Sequence, residues 1–231
     1  MAFVSSLHTV ERYSFPRLKA ILSDHPDASS HIISYKRQLN LIEAHLKEIT
    51  VSTVVVEDNY VDYDYLDAVS AFYGECFHEY ARYCKRLHFF SDSFDEKEFL
   101  EFFKNNRRDE KVGADFKERL IKNYVGFIVV RPLPEAILGR VCIKPYGSDR
   151  GRRHFPVKFT NKVNLFGLDL TLATLPFQEQ DNVTAQCATS ALWSAFHATA
   201  EVFYSGVLPP VEITRMATAR MPRGRRTFPS T

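Results

Sequence analysis

The chain has few cysteines and no long hydrophobic run. Its four cysteines in 231 residues, Cys76, Cys84, Cys142 and Cys187, are too scattered for the disulfide framework of a small secreted domain. No stretch approaches the roughly 20 apolar residues that cross a bilayer. Residues 1–14 lack the cationic start and apolar run of a secretory signal. These absences predict a cytoplasmic protein that keeps its thiols reduced and has no membrane partner.

Net charge is also small, and this argues against a nucleic-acid partner. The formal charge is +2 at pH 7, too little to attract a polyelectrolyte to the whole surface. Charge is nevertheless segregated: residues 57–101 hold twelve acidic and four basic residues, whereas residues 131–162 hold eight basic and two acidic ones. The basic loop GSDRGRRHFP and the tail MPRGRRTFPST belong to no motif that reads RNA or DNA. The segregation predicts internal complementarity or docking onto another molecule.

Residues 1–123 carry mainly helical periodicity. SFPRLKAILS, SYKRQLNLIEAHLKEI, FDEKEFLEFFKNN and GADFKERLIKNY have the apolar spacing of helices with one buried face. The longest helix is predicted in YDYLDAVSAFYGECFHEYARYCKRLHFF, where one apolar face persists for four turns. VSTVVVED, a short β-branched run, is the one strand predicted in this region. The face of the long helix consists of Tyr65, Leu66, Val69, Phe72, Tyr73, Cys76, Phe77 and Tyr80.

Residues 124–231 change to strand patterns before they return to helices. YVGFIVVRPLP and GRVCIKPY are strand-like, and FPVKFTNKVNLFGLDLTLATLPF alternates as a hairpin with its turn at Phe166 and Gly167. A helix then begins near Cys187, and a proline pair suits the start of a last short helix. The order predicts an α+β fold in two parts: a mainly helical region, residues 1–123, and a second part with a central antiparallel β-meander and C-terminal helices.

The stretch LPFQEQDNVTAQCATSALWSAFHATAEVF places Cys187 where a glutamine-rich loop becomes a helix. A cysteine in the first helical turn meets unpaired backbone N–H groups and the positive end of the helix dipole, which favour the thiolate. The glutamines upstream supply amide donors of the kind that hold an oxyanion in acyl transfer. The alternative is a small buried cysteine that happens to begin the helix. The predicted buried stripe comprises Ala188, Ala191, Leu192, Ala195, Phe196, Thr199 and Phe203, with Ser190, Ser194, His197 and Glu201 on the opposite, polar face.

At these residues the sequence resembles the papain-like cysteine peptidases. In QDNVTAQCATSALWSAF, Gln180 stands seven residues before Cys187, and small and aromatic residues follow in the helix. The resemblance is nearest to the bacterial peptidases that process bacteriocin leaders and to allied bacterial peptidase-like proteins, and it covers about the last sixty residues. It implies that the C-terminal helices correspond to the first half of a papain-like domain.

The resemblance also implies a thiol hydrolase that acts on a peptide or protein substrate. Cys187 would be the nucleophile and Gln180 the oxyanion-hole donor, with Gln178 or Gln186 as substitutes for Gln180. The chain departs from many relatives at Ala188, where they have glycine after the cysteine.

The catalytic histidine is missing from its expected place. In the family it lies far downstream of the cysteine, on a strand of a following sheet, but no histidine follows His197 here. His197 lies ten residues along the same helix, about 15 Å from the thiol at 1.5 Å per residue, and is excluded as the base. Either His154 serves in a rearranged site, or a C-terminal continuation or a partner protein supplies the histidine. In the second case the chain alone is inactive.

Two other sets of residues that could suggest a functional site are better explained by structural roles. Cys84 and His88 stand four apart, a spacing that can bring two metal ligands together, but no CxxC accompanies them and core packing is the better prediction. Asp62, Asp64 and Asp67 begin a helix, where carboxylates act as caps. No metal or cofactor is therefore expected. The competing function is a non-catalytic protein-interaction module, or pseudo-peptidase, in which the region before the cysteine helix binds a partner.

Overall fold

The computed structural model describes residues 8–24, 33, 35–106, 113–134, 136–147, 151, 153–180 and 187–219. These residues form an α+β fold, as predicted, with a five-stranded antiparallel sheet, a two-stranded hairpin and seven α-helices. The strands are β1 (His8–Arg12), β2 (Thr53–Tyr60), β3 (Cys84–Phe90), β4 (Tyr124–Val130), β5 (Leu138–Ile143), β6 (Phe159–Leu165) and β7 (Leu168–Thr174). The helices are α1 (Phe15–Ser23), α2 (Arg37–Glu48), α3 (Tyr63–Ala71), α4 (Glu96–Asn106), α5 (Ala114–Asn123), α6 (Cys187–Phe203) and α7 (Pro210–Thr218).

The five-stranded sheet is a meander whose strand order, β1-β2-β3-β4-β5, follows the sequence. Every neighbouring pair is antiparallel. Strands β3 and β4 are buried along almost their whole length. This explains why YVGFIVV is a continuous apolar run instead of an alternating one. The strand predicted in VSTVVVED and the two predicted directly after residue 123 are confirmed as β2, β4 and β5.

Helices cover both faces of this sheet. On one face, α1 and α2 pack their leucines and isoleucines against alternate side chains of β2, β3 and β4. On the other face, aromatic side chains of α3, α4 and α5 meet the leucines of the β6–β7 hairpin. Helices α6 and α7 pack on each other, with α6 against β6 and α7 against α3. None of the described helices is both long and apolar enough to cross a membrane.

The prediction of one long helix in YDYLDAVSAFYGECFHEYARYCKRLHFF is wrong beyond its first part. Helix α3 ends at Ala71, and CKRLHFF is strand β3, paired between β2 and β4. Cys76 and Phe77, predicted on a buried face, are exposed. The pattern misleads because apolar residues of a strand buried on both faces also fall at helical spacings. With β1, the described part of residues 1–123 has three strands instead of the predicted one.

The predicted central meander is divided between two sheets. Strands β4 and β5 belong to the large sheet, whereas β6 and β7 pair with each other in a separate one. Their turn lies at Phe166 and Gly167, as predicted, and both residues have positive φ (50° and 96°), as a two-residue hairpin turn of type I′ requires. The large sheet also crosses the predicted division at residue 123, since β3 pairs with β4.

Candidate active site

Cys187 is the first residue of helix α6 that the structure describes, near the helix start that the sequence predicts. Its side chain is half-buried. Cys84 and Cys142 are buried, and burial raises the pKa of both thiols, that of Cys142 to about 12. Cys76 is exposed in the segment after α3. Cys187 and Cys76 are therefore the two thiols that solvent reaches.

The backbone before Gln180 is fixed to strand β5. The Glu179 N–H donates to the Leu138 carbonyl at 2.9 Å. The Glu179 carboxylate accepts from Lys36 Nζ at 2.5 Å and from the Leu138 N–H at 3.1 Å. The Gln180 side chain is exposed and, like the Cys187 thiol, has no hydrogen-bond partner among the described residues. The role of Gln180 as the oxyanion donor stays a prediction.

The two substitutes for Gln180 are placed differently. Gln178 is half-buried and follows Phe177, whose backbone pairs with Val141 in an isolated bridge. Gln186 falls in residues 181–186, outside the part of the chain that the structure describes.

The buried face of α6 is the opposite of the predicted one. Trp193 and His197 are 1% and 4% exposed, whereas Leu192 and Phe203, predicted to be buried, are 44% and 73% exposed. The cause is that the one tryptophan, the largest side chain of the helix, buries more surface than the alanines of the predicted stripe. The exposed side, called the α6 apolar face below, comprises Ala188, Ala191, Leu192, Ala195, Val202 and Phe203, with Thr199, whose hydroxyl donates to the Phe196 carbonyl, among them.

Polar contacts hold the buried side of α6 in place. The Ser194 hydroxyl donates to the Pro176 carbonyl at 2.9 Å. The hydroxyls of Thr189 and Thr214 share a hydrogen bond of 3.1 Å between α6 and α7. These bonds satisfy groups that are costly to bury unpaired. The Ser190 hydroxyl is buried without a partner among the described residues.

His197 belongs to this packing. Its Nδ1 lies 2.9 Å from the Trp193 carbonyl, and its ring contacts the rings of Trp193 and Phe159 at centroid distances of 4.3 and 4.9 Å. Burial lowers the pKa of His197, and the charge of Arg140 lowers it further. The ring is neutral at pH 7 and packed inward, in agreement with its exclusion as the base.

An ion pair beneath Trp193 links α3 to β5. Arg140 Nη2 donates to the Asp64 carboxylate at 2.6 Å, and its guanidinium lies 5.6 Å from the centre of the Trp193 ring. Asp62 caps α3 by accepting from the Tyr65 N–H at 3.0 Å, and burial raises the pKa of Asp62. Capping by the acidic residues at this helix start is thus confirmed for Asp62.

Sequence reasoning missed a buried ionisable network in the large sheet. Arg86 Nε donates to Glu57 at 2.7 Å, and His88 lies 3.4 Å from Glu57 and 3.1 Å from the Tyr124 hydroxyl. Burial lowers the pKa of His88 to about 4. No sequence signal assembles this network, because Arg86 and His88 fall in the segment predicted as a helix.

The alternative base, His154, lines a surface cavity between α2, the segment after β5 and the end of β7. No hydrogen bond joins Cys187 to a histidine within the described ranges. The thiol itself, at the start of α6 and beside the α6 apolar face, is therefore the feature of this site that experiment can address first.

Cys187 should react with iodoacetamide faster than Cys76 at pH 7, although Cys76 is the more exposed. The thiolate is the reacting form of a cysteine, and the unpaired backbone N–H groups of a first helical turn face an approaching anion. The Cys76 thiol instead donates to the Phe72 carbonyl oxygen at 3.7 Å. Mass mapping after short labelling times measures both rates. Equal or slower labelling of Cys187 would favour the structural cysteine.

Neither a metal-binding group nor similarity to a known protein identifies the site. Over the residues that the structure describes, no three His, Cys, Asp or Glu side chains form a group that could hold a metal ion. Cys84 and His88 lie on strand β3, and both are buried. No family model matches the chain, and no curated protein or solved structure matches it.

Proposed function

We propose that the chain carries the nucleophile of a papain-like thiol hydrolase of peptide or related acyl bonds, active only when a second protein segment covers the α6 apolar face. The observation that carries the proposal is the position of Cys187, a half-exposed thiol at the first residue of a helix whose apolar side faces solvent. The Cys187 thiolate attacks the acyl carbonyl, and Gln180 with the Cys187 N–H holds the oxyanion. A histidine of the covering segment moves the proton to the leaving group.

The α6 apolar face supports the need for a covering segment. Its side chains carry no charge, whereas a surface helix ordinarily turns its polar residues outward. Contiguous exposed apolar residues mark sites of protein interaction. In the family that the sequence resembles, the histidine lies on a strand of a following sheet. A sheet packed on this face would bring a histidine close to the thiol at the end of the face.

The chain alone should show no measurable peptide cleavage, because the missing base is worth orders of magnitude in rate. The covering segment is sought in a continuation of the reading frame, or in a neighbouring gene, that encodes a strand with a Gly-His pair. Adding it should produce hydrolysis that Cys187→Ala abolishes. Robust cleavage by the chain alone would mean that a base is already present, with His154 the first suspect. Cleavage by the completed Cys187→Ala protein would mean that another residue is the nucleophile.

Leu192→Glu tests the covering contact, and Ile121→Glu is its matched control. Leu192 is 44% exposed in the α6 apolar face, and Ile121 is 45% exposed on α5. Leu192→Glu should abolish binding of the covering segment and the hydrolysis that depends on it, whereas Ile121→Glu should retain both. Both variants should change the melting temperature little and by similar amounts, because the two side chains are exposed to the same extent.

A non-catalytic interaction module is the competing proposal, and the same exposed face favours it. The sequence places the partner of such a module on the region before the cysteine helix, and the α6 apolar face is a second place where a partner that supplies no base could bind. Cys187→Ala separates the two functions. Binding that is retained while hydrolysis is lost supports the hydrolase, whereas a partner complex without hydrolysis, unaffected by Cys187→Ala, supports the interaction module.

A further inference from the structure

A surface groove lies between α2, the segment after β5 and strand β7. It consists of two adjoining cavities of about 480 and 520 Å³ that share Pro145, Tyr146, His154 and Phe155. Each falls within the size range of ligand sites. The larger cavity is bounded by residues 171–173 of β7. The groove therefore runs along one edge of the hairpin.

This edge of β7 presents free backbone groups. In a hairpin closed by a two-residue turn, the two residues that flank the turn, here Leu165 and Leu168, exchange backbone hydrogen bonds. Along β7, every second residue after Leu168 is likewise hydrogen-bonded to its partner in β6. The N–H and C=O groups of Thr171 and Ala173 then point away from β6. No described residue outside the hairpin forms a backbone hydrogen bond with Thr171 or Ala173. A free edge of this kind pairs with an added strand.

The walls of the groove are apolar and held in place. The ring of His45 on α2 stacks on Tyr146 at a centroid distance of 3.8 Å, and His45 Nε2 lies 2.8 Å from the Lys144 carbonyl. These contacts tie the segment after β5 to α2. Apolar side chains along the groove remain exposed, among them Leu41 at 67% and Phe177 at 45%.

The groove is positively charged at its larger end. Lys144, Arg153 and Lys158 line the larger cavity with His154, and no carboxylate lines either cavity among the described residues. Arg153 pairs with Glu48 outside the groove, and its guanidinium lies 4.9 Å from the centre of the Tyr146 ring. The two lysines therefore supply the charge that a ligand would meet, and they favour an anionic one.

We propose that the groove binds an extended acidic peptide of a partner protein, which adds as a strand to the free edge of β7. Side chains of an added strand alternate between two faces. One set meets Lys144, Lys158 and Arg153, and the other set meets the apolar wall. A peptide with alternating acidic and apolar residues has the matching chemistry. This site is separate from Cys187 and does not depend on the thiol.

A fluorescein-labelled peptide of alternating glutamate and valine, seven residues long, is the probe, and fluorescence anisotropy measures its binding to the full chain. The peptide should bind, whereas a peptide of alternating lysine and valine should not. Two further peptides carry methyl groups on backbone nitrogens, one on those of the valines and the other on those of the glutamates. Strand addition uses every second amide, so one methylated peptide should bind and the other should not. Equal affinity of the two methylated peptides would overturn strand addition.

The lysines are tested by Lys144→Gln combined with Lys158→Gln, with Lys162→Gln as the matched control on the exposed side of β6. The double variant should weaken binding about tenfold, as the loss of two ion pairs, one at the half-buried Lys144 and one at the exposed Lys158, predicts. Lys162→Gln should bind as the unaltered chain does. An acidic peptide that binds the double variant equally well would overturn the proposal. Self-association that is lost in the double variant would mean that a second copy occupies the groove, which also overturns it.

Discussion

Gly126→Ala is expected to lower the free energy of unfolding by about 3 kcal/mol or more, enough to prevent folding in a marginally stable protein. Gly126 lies in β4, the strand between β3 and β5. A Cβ atom at this position would lie 2.1 Å from the Cys142 carbonyl oxygen and 2.8 Å from the Ile143 Cα. Both atoms belong to the backbone of β5, so no side-chain rotation relieves the contact. The φ angle of +146° adds strain for any residue with a side chain.

The matched control for this prediction is Gly147→Ala. No atom lies within 4 Å of a Cβ built on Gly147, so the change should stay within about 0.5 kcal/mol of the unaltered protein. Urea unfolding followed by circular dichroism measures both variants. If Gly126→Ala unfolds at the same urea concentration as Gly147→Ala, the close approach of β4 and β5 is wrong.

Acidification is expected to destabilise the protein strongly through His88. The side chain is fully buried between β2 and β4, where burial lowers its pKa from 6.5 to about 4 despite the hydrogen bond to Glu57. The unfolded chain binds a proton at this histidine below pH 6.5 and the folded chain does not until about pH 4. Stability is therefore complete above pH 6.5 and falls by about 3 kcal/mol as the pH drops to 4.

Of the charged groups that face His88, Arg86 lowers its pKa further, whereas the Glu57 carboxylate raises it without offsetting the burial. Arg86 disfavours a second positive charge beside it, and the Tyr124 hydroxyl hydrogen-bonds the ring at 3.1 Å. The pKa of Glu57 is also lowered, because hydrogen bonding with His88 and the charge of Arg86 outweigh its burial. This carboxylate contributes stability that is present above its unfolded pKa and is lost as the pH falls through its folded pKa. Its loss adds to that of His88 at the acid end.

His88→Asn separates this effect from the rest of the chain. The amide can still bond the Tyr124 hydroxyl but does not titrate. Urea unfolding at pH values from 7.5 to 4.5 should show a smaller loss of stability for His88→Asn than for the unaltered protein. His154→Gln, which changes an exposed histidine, should keep the original dependence. A His88→Asn protein with the full acid sensitivity would rule out His88 as its source.

Most helices and strands follow from local patterns, because each has one dominant face or run. Leu39, Ile42 and Leu46 on α2 are buried at the helical spacing that predicts them. The turn at Phe166 and Gly167 follows from the alternation on each side of it. The pattern that specifies such an element lies within a few residues, so its prediction does not require knowledge of tertiary contacts.

Predictions from the sequence were wrong where a segment is compatible with two local structures and tertiary contacts decide between them. CKRLHFF fits a helix or a strand, and it becomes β3 because β2 and β4 bond it on both sides. On α6, two possible faces compete, and because Trp193 is buried the alanines lie on the exposed side. That a helix begins near Cys187 was predictable, since the pattern that marks a helix start is local; its role as nucleophile stays a prediction. The Glu57–Arg86–His88–Tyr124 network was not, because its members meet only through the register of three strands.

In the five-stranded sheet the strands lie in the same order as in the chain, and this order affects how the protein folds. Each strand pairs with the one made immediately before it, so no strand has to wait for a partner from later in the chain. During synthesis the sheet grows by one strand at a time, and β5 joins last. Only then does Leu138 offer the carbonyl that fixes Glu179. The segment that leads to Cys187 is therefore positioned after the sheet is complete.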